Sequence, residues 1–464
     1  MKRVSRNLVA IVGSDVGRRA MGFFTVAYLA RKLGTADFGI INIGFTVLSY
    51  AIMGAAGGLN AYGAREVAKS NWLERVNSLL SLRLASSAIA YGLVAFLAMA
   101  FITNELIIKV VLISSTAIFA HAVMLEWFFQ GREAMGMIGV GRLVSAVVYL
   151  VLVLLLVHRP ADLLWVAAAA VIGDFIAAAV MLAVYRKRYD ARFSFETEGW
   201  LVMIRQSFRL GVGSMLGHFS IHLAPLAIGV MASTADVGVY SAAQRMVFFL
   251  LMVDRVVGTL LLPAAARLHS YSPQALSSAL SYAQKWILVA ALPLAAGGTI
   301  LGDQIVRLVF GVQYLAAGNI FKILLWYFLL TMLHTIYTSG LVAIRQEQRY
   351  TRIMVISALV YASSILLLTS LFGATGTACA IVVSEGITML LMKHECQKFV
   401  NITVPRSALR VFLAAAVMLL VLVGVQFSSV GLGVSCGGAV YIIVLFATRG
   451  VTRADVAELA ARIA

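Results

Sequence analysis

Thr35-Ala36-Asp37-Phe38-Gly39 returns in the second half of the chain as Thr234-Ala235-Asp236-Val237-Gly238. Each copy fills a short polar gap between two long apolar runs. A repeat of this kind fixes architecture before any residue is given a role. The likeness extends further: Val171-Ile172-Gly173-Asp174-Phe175-Ile176 is matched by Val382-Val383-Ser384-Glu385-Gly386-Ile387, with an acid at the same place in each. The chain therefore reads as two related membrane lobes. Duplication of this sort typifies transporters, whose substrate sites lie between repeats.

Composition agrees. The 464 residues are 61% hydrophobic and 12% charged, with a mean hydropathy of +0.94. A soluble core would carry roughly 25% charged residues, so the solvent of this chain is lipid. Cys379, Cys396 and Cys436 lie in or beside apolar runs without paired spacing. They read as packing residues, not as metal ligands or disulfide partners. The start, with Lys2, Arg3 and Arg6, lacks a compact apolar stretch and a cleavage site, so a retained first span is expected.

A span needs about 20 mainly apolar residues. That ruler predicts an all-α polytopic protein of about fourteen transmembrane helices, near 8–30, 38–60, 80–102, 106–129, 137–157, 162–185, 206–231, 241–265, 284–301, 318–341, 351–372, 374–393, 407–426 and 430–447. Pro293 interrupts the ninth. Spans 1–6 form an N-lobe over 1–185, a basic linker covers 186–205, and spans 7–12 form a C-lobe over 206–396. Two further spans and a tail fill 397–464. With both termini cytoplasmic, most of the 37 basic residues fall at cytoplasmic ends and loops, as the positive-inside rule requires. The net charge of +17 thus reads as a topogenic signal facing anionic headgroups, with no need for nucleic acid. Thr452-Arg453-Ala454-Asp455 has the form of a capping box opening a short surface tail.

Ionisable groups inside spans are functional candidates, because a charge at mid-bilayer costs several kcal/mol unless it meets protein, water or a partner. Arg18 and Arg19 lie about 15 Å into the first span, near the middle of a ~30 Å core. Asp15 can neutralise one of them, but a single carboxylate does not neutralise two guanidinium groups. Arg245 and the adjacent Asp254-Arg255 occupy the eighth span. A guanidinium binds phosphate oxygens bidentately and keeps its charge in an apolar site. Asp15, Asp174, Asp254 and Glu385 are candidates for ion coupling, with a structural role as the alternative: each acid bracing its own lobe by hydrogen bonds. His218 and His222 share a helix face without a third ligand, so a metal site is not expected. Phosphate loops and H-E-x-x-H are missing from the sequence, so neither enzyme nor cofactor is expected.

Tyr28-Leu29-Ala30-Arg31-Lys32-Leu33-Gly34 with Thr35–Gly39, Glu126-Trp127-Phe128-Phe129-Gln130-Gly131, and Val237-Gly238-Val239-Tyr240-Ser241-Ala242-Ala243-Gln244-Arg245 together resemble the polysaccharide transporter family. These are the Wzx-type oligosaccharide flippases of the multidrug/oligosaccharidyl-lipid/polysaccharide exporter superfamily. The resemblance implies movement of an undecaprenyl-diphosphate-linked glycan across the inner membrane by alternating access. It implies a cavity lined by spans 1, 2, 7 and 8, which puts Arg18 or Arg19 and Arg255 where the diphosphate would sit. Asn42, Ser49, Tyr50 and Asn60 of span 2 become candidate sugar contacts. Partners would be the polyprenyl-linked oligosaccharide, membrane lipid, and polymerase or other glycan-assembly proteins. A drug or cation antiporter of the same superfamily, a lipid II flippase, and a non-transporting scaffold for assembly enzymes are the alternatives.

Overall fold

The computed structural model describes residues 2–69, 73–189, 193–403, 407–425, 427, 429–452, 455 and 457; within its helices the side chains of 2–16, 19, 73–74, 209–210 and 212–221 stand outside that description. Sixteen α-helices and no strand are found among the described residues. The chain divides into two compact units, Met1–Ser241 and Ala242–Ala464. The first holds α1 (Lys2–Ala56), α2 (Leu59–Val67), α3 (Leu73–Phe101), α4 (Glu105–Ser115), α5 (Ala117–Val123), α6 (Glu126–Gly131), α7 (Met135–Leu156), α8 (Leu163–Tyr189) and α9 (Trp200–Met231). The boundary falls inside α10 (Thr234–Leu250). The second unit continues with α11 (Met252–Tyr271), α12 (Pro273–Phe310), α13 (Ala316–Ala343), α14 (Glu347–Gln397), α15 (Ser407–Gly424) and α16 (Val430–Ala447).

Eleven helical runs are long and apolar enough to cross a bilayer, counted over the described residues. Two of these are double. Helix α1 breaks at Gly34 (φ 82°, ψ 174°) and α14 at Gly373 (φ 57°, ψ −139°). At Gly34 the positive φ would strain any residue bearing a Cβ, so the polar gap that opens the first repeat turns on a glycine. The fourth predicted span is three short helices, α4 to α6, interrupted at Thr116 and Met124. The eighth passes from α10 to α11 at Leu251 with helical backbone angles and the i→i−4 bonds kept on both sides. The ninth shows no such break: α12 runs unbroken through Pro293.

Lipid-facing chemistry is plain in the exposure pattern. Ile89 is 74% and Leu420 73% exposed, a placement that in water would forgo about 1.5–3 kcal/mol for each side chain. The core of the first unit is aromatic. Trp127, Phe128 and Phe129 of α6 are fully buried, and the Phe128 ring meets Tyr185 and Tyr189 of α8 edge-on at 4.8 and 5.0 Å. The Glu126–Gly131 segment is thus a packing motif. In the second unit α13 lies against α11, α12 and α14, while α15 and α16 pack on α12.

Candidate substrate and coupling sites

The two repeat motifs touch. A Cβ added to Gly39 would lie 1.7 Å from the Thr234 carbonyl oxygen, and one added to Gly238 would lie 1.9 Å from that of Thr35. The contact is reciprocal, glycine of one copy against threonine carbonyl of the other. Small residues allow membrane helices this backbone approach. A second close approach joins the end of α1 to α9: a Cβ on Gly58, in the turn between α1 and α2, would stand 2.1 Å from the Ser207 carbonyl and 2.7 Å from the Gly211 Cα. At ~1.5 Å rise per residue the two levels are about 28 Å apart, close to the ~30 Å hydrocarbon thickness. Between them the Tyr50 ring meets His222 edge-on at 6.1 Å. The first unit is therefore tied, α1 to α9 and the start of α10, at both ends of one membrane-length stretch.

The polar residues of this stretch are mostly committed to protein. The Asn42 amide donates to the Phe38 carbonyl (2.7 Å) and the Ser49 hydroxyl to that of Phe45 (2.8 Å). The Asn60 carbonyl oxygen accepts from Arg83, whose guanidinium also donates to the Ala122 and His121 carbonyls. Arg83 is buried, so it staples α3 to the α5 end. Arg18 is partly buried on the first rod of α1. The side chains of Asp15, Arg19 and His218 lie outside the described residues. Arg245 on α10 and Arg255 on α11 are exposed. Asp254, beside Arg255, accepts the Thr335 hydroxyl of α13 at 2.6 Å.

The symmetric acids both find histidines. Asp174 of α8 has His121 Nε2 of α5 at 3.3 Å and accepts the Ser145 hydroxyl of α7 at 2.7 Å. Glu385 of α14 has His334 Nδ1 of α13 at 2.9 Å. Sequence reading singled out the acids and missed both histidines. The signal was available: each histidine precedes its acid by a similar interval, in corresponding spans of the two copies.

Other charges serve the helix ends. Glu66 of α2 is buried yet gathers Lys69 (2.7 Å), Arg75 (2.5 Å) and Arg65 (3.5 Å). Burial alone would raise its pKa, but the three cations outweigh it and hold the carboxyl below its usual range. Glu126 takes both arms of the Arg142 guanidinium at 2.8 Å. Asp236 is a capping residue, though at the third helical position: its carboxylate accepts the Ser233 backbone N–H and hydroxyl, while its own N–H donates to the Ser233 hydroxyl. Thr452 and Asp455 form the same box, and Asp455 is held below its usual range, burial being outweighed by Lys285 and Thr452.

Residues 4–269 match the model of a family described as "Polysaccharide biosynthesis protein". The chain belongs to that family. Within the wider set of relatives, a "Putative O-antigen transporter" from Shigella dysenteriae is 22% identical over 349 residues, 72% of this chain and 85% of that one. A "Probable low-salt glycan biosynthesis flippase Agl15" from Haloferax volcanii is 26% identical over 192 residues, 41% of each chain. That second match thus spans about two-fifths of the relative's length. Among solved structures, the lipid II flippase MurJ in an inward closed conformation superposes with a TM-score of 0.73 at 15% identity, over 94% of this chain and 98% of that one. An inward-facing multidrug resistance MATE transporter of the MOP superfamily gives 0.65 at 12% identity, over 82% and 95%. This member of the polysaccharide biosynthesis family accordingly has the MOP transporter fold, as the resemblance implied.

Proposed function

We propose that the protein is a flippase for a polyprenyl-diphosphate-linked oligosaccharide, an O-antigen, capsule or exopolysaccharide unit, in the cell inner membrane. The observation that carries the reading is the alignment with the Shigella dysenteriae O-antigen transporter, which runs over most of both chains. The fold likeness agrees with transport and is shared with lipid II flippase and drug exporter, so it does not choose among substrates. Fourteen crossings with cytoplasmic termini, two six-span lobes over 1–185 and 206–396 joined by the basic linker, and two added spans complete the proposed topology. The protein moves its substrate without altering it covalently, by alternating access.

In this reading Arg18, Arg19, Arg245 and Arg255 supply the cations for the diphosphate. The chemistry is the planar fork of guanidinium on phosphate oxygens. Glycan-assembly proteins that make and polymerise the unit are its partners. Deleting the gene and analysing the lipid-linked pool is the test. An oligosaccharide-diphosphate lipid accumulating on the cytoplasmic leaflet supports the reading. Accumulated lipid II replaces it with the lipid II flippase, and an unchanged pool with altered drug resistance replaces it with an antiporter.

A further inference from the structure

Helix α2 begins after Gly57 and Gly58, both at positive φ, at the level where Gly58 meets the Ser207 carbonyl of α9. Glu66 stands eight residues further along the chain, up to about 12 Å past that level. It therefore lies outside the ~30 Å hydrocarbon core, in the layer of lipid headgroups. The Glu66 side chain is 4% exposed, whereas those of Arg65, Lys69 and Arg75 around it are 50%, 58% and 56% exposed. Lys69 Nζ and Arg65 Nη2 share Glu66 Oε1, and Arg75 Nη1 takes Oε2. Arg65 is fixed from two further sides, by Gln206 Oε1 of α9 at 3.1 Å and by the Tyr62 ring at 5.6 Å.

One carboxylate neutralises one cation, and three gather on Glu66. Among the described residues, the elements packed against α2 supply no acid to take up the excess. These are α3, α6 and α9. Glu126 of α6 is held by both arms of Arg142, and Glu133, just past α6, directly follows Arg132. Arg83 of α3 and Arg205 of α9 are further cations. Glu196, ahead of α9, accepts from Asn77 and Ser194, and Glu198 is exposed. The Glu74 side chain lies outside the described residues. The buried carboxylate engages one arm of each guanidinium, Nη1 of Arg75 and Nη2 of Arg65, and turns the cluster into a fixed array with its outer side in water. Such an array suits phosphate, whose oxygens match the guanidinium fork and whose charge balances more than one cation. The headgroup layer is where lipid phosphates are found, and basic clusters there attract anionic lipid.

We propose that Arg65, Lys69 and Arg75, arrayed on the buried Glu66, form a binding site for the phosphate of a lipid headgroup. Two sources carry that chemistry, an anionic membrane phospholipid and the polyprenyl diphosphate of the transported lipid. The site is distinct from the arginines inside the spans. Only its second source rests on the flippase reading.

The test is native mass spectrometry of the full-length protein in neutral detergent, titrated with phosphatidylglycerol and separately with farnesyl diphosphate. Saturable binding of at least one probe is expected in the wild type, weakened about tenfold or more in Lys69→Gln and in Arg75→Gln. The double variant should lose it. That variant keeps Arg65 beside the buried carboxylate and should fold, with Tm as the check; if it does not, the single variants decide. Arg186→Gln combined with Lys187→Gln removes equal charge from the end of α8 and should leave binding unchanged. Weakening confined to phosphatidylglycerol upholds the site and makes membrane phospholipid its ligand. Weakening confined to farnesyl diphosphate upholds it and makes the transported lipid its ligand. Unchanged affinity for both probes in the Lys69 and Arg75 variants overturns the site, as does equal weakening by the α8 variant. Failure of the flippase reading shows separately, in the lipid-linked pool of the deletion strain, and leaves a phosphatidylglycerol site standing.

Discussion

Gly39 and Gly238 each hold the backbone of the other repeat at a distance no methyl group allows, with the Thr234 and Thr35 carbonyls 1.7 and 1.9 Å from the positions their Cβ atoms would take. The repeated motif is thus also the surface on which its two copies meet.

Gly39→Ala and Gly238→Ala should therefore each weaken this contact. The obstacle is backbone, which cannot swing aside as a side chain can, so a cost of about 1–3 kcal/mol is expected from overpacking. Thermal melting in detergent should show a lower Tm for both, and export should fall. Gly54→Ala is the control, since nothing lies within 4 Å of its Cβ position. An unchanged Tm and export rate in the Gly39 variant would remove the contact from the working protein.

Arg18→Ala, Arg19→Ala and Arg255→Ala are expected to lower glycan export. A charge-assisted hydrogen bond to a charged group contributes ~1.5–3 kcal/mol, equivalent to about 10- to 100-fold in binding. Lysine at each position should restore part of the loss, because it keeps the charge and forfeits the bidentate fork. Wild-type export by the triple variant at normal protein level would disprove the diphosphate role.

Acid should unfold the α2 end first. Glu66 has its carboxyl held below the ordinary value of 4.5 by Lys69, Arg75 and Arg65. A depressed carboxylate contributes stability above its unfolded pKa and loses it as pH falls through the folded one. Melting temperature should drop as pH is lowered below about 4.5, and Glu66→Gln should remove this component of the drop. The three cations are half-exposed, so added salt should shrink the effect. A pH profile identical in wild type and Glu66→Gln contradicts it.

Phe128→Ala should be the most destabilising single change among these. The ring is fully buried against Tyr185 and Tyr189, and such truncations cost about 3–5 kcal/mol. The readout is loss of folded protein in the membrane and a lower Tm. Retained export per folded molecule would separate packing from chemistry; a Tm equal to wild type would refute the packing role.

Much of the architecture was legible because lipid imposes a simple rule. A span must be long, apolar and internally hydrogen-bonded, so each predicted range is occupied by helix. The breaks were less visible. Pro293 looked like an interruption and α12 passes through it, while the fourth span breaks at Met124, where the backbone is extended (ψ 119°) without proline or glycine. Propensity is a weak guide where neighbouring helices can re-satisfy backbone groups.

The sequence by itself determined that this is an all-helical membrane protein with a repeated motif and ionisable residues inside its spans, because periodicity, hydropathy and repeats are local or linear properties. It pointed to Asp174 and Glu385 as equivalents through the register of the two copies. Only the tertiary structure decided what those acids face. His121 and His334 lie some fifty residues upstream, on other helices, and no helical period along one chain segment can bring them to 3.3 and 2.9 Å of their partners. The same holds for Gly39 and Gly238: their identity was written in the repeat, but their contact depends on helix packing, which is set by side-chain volume in three dimensions.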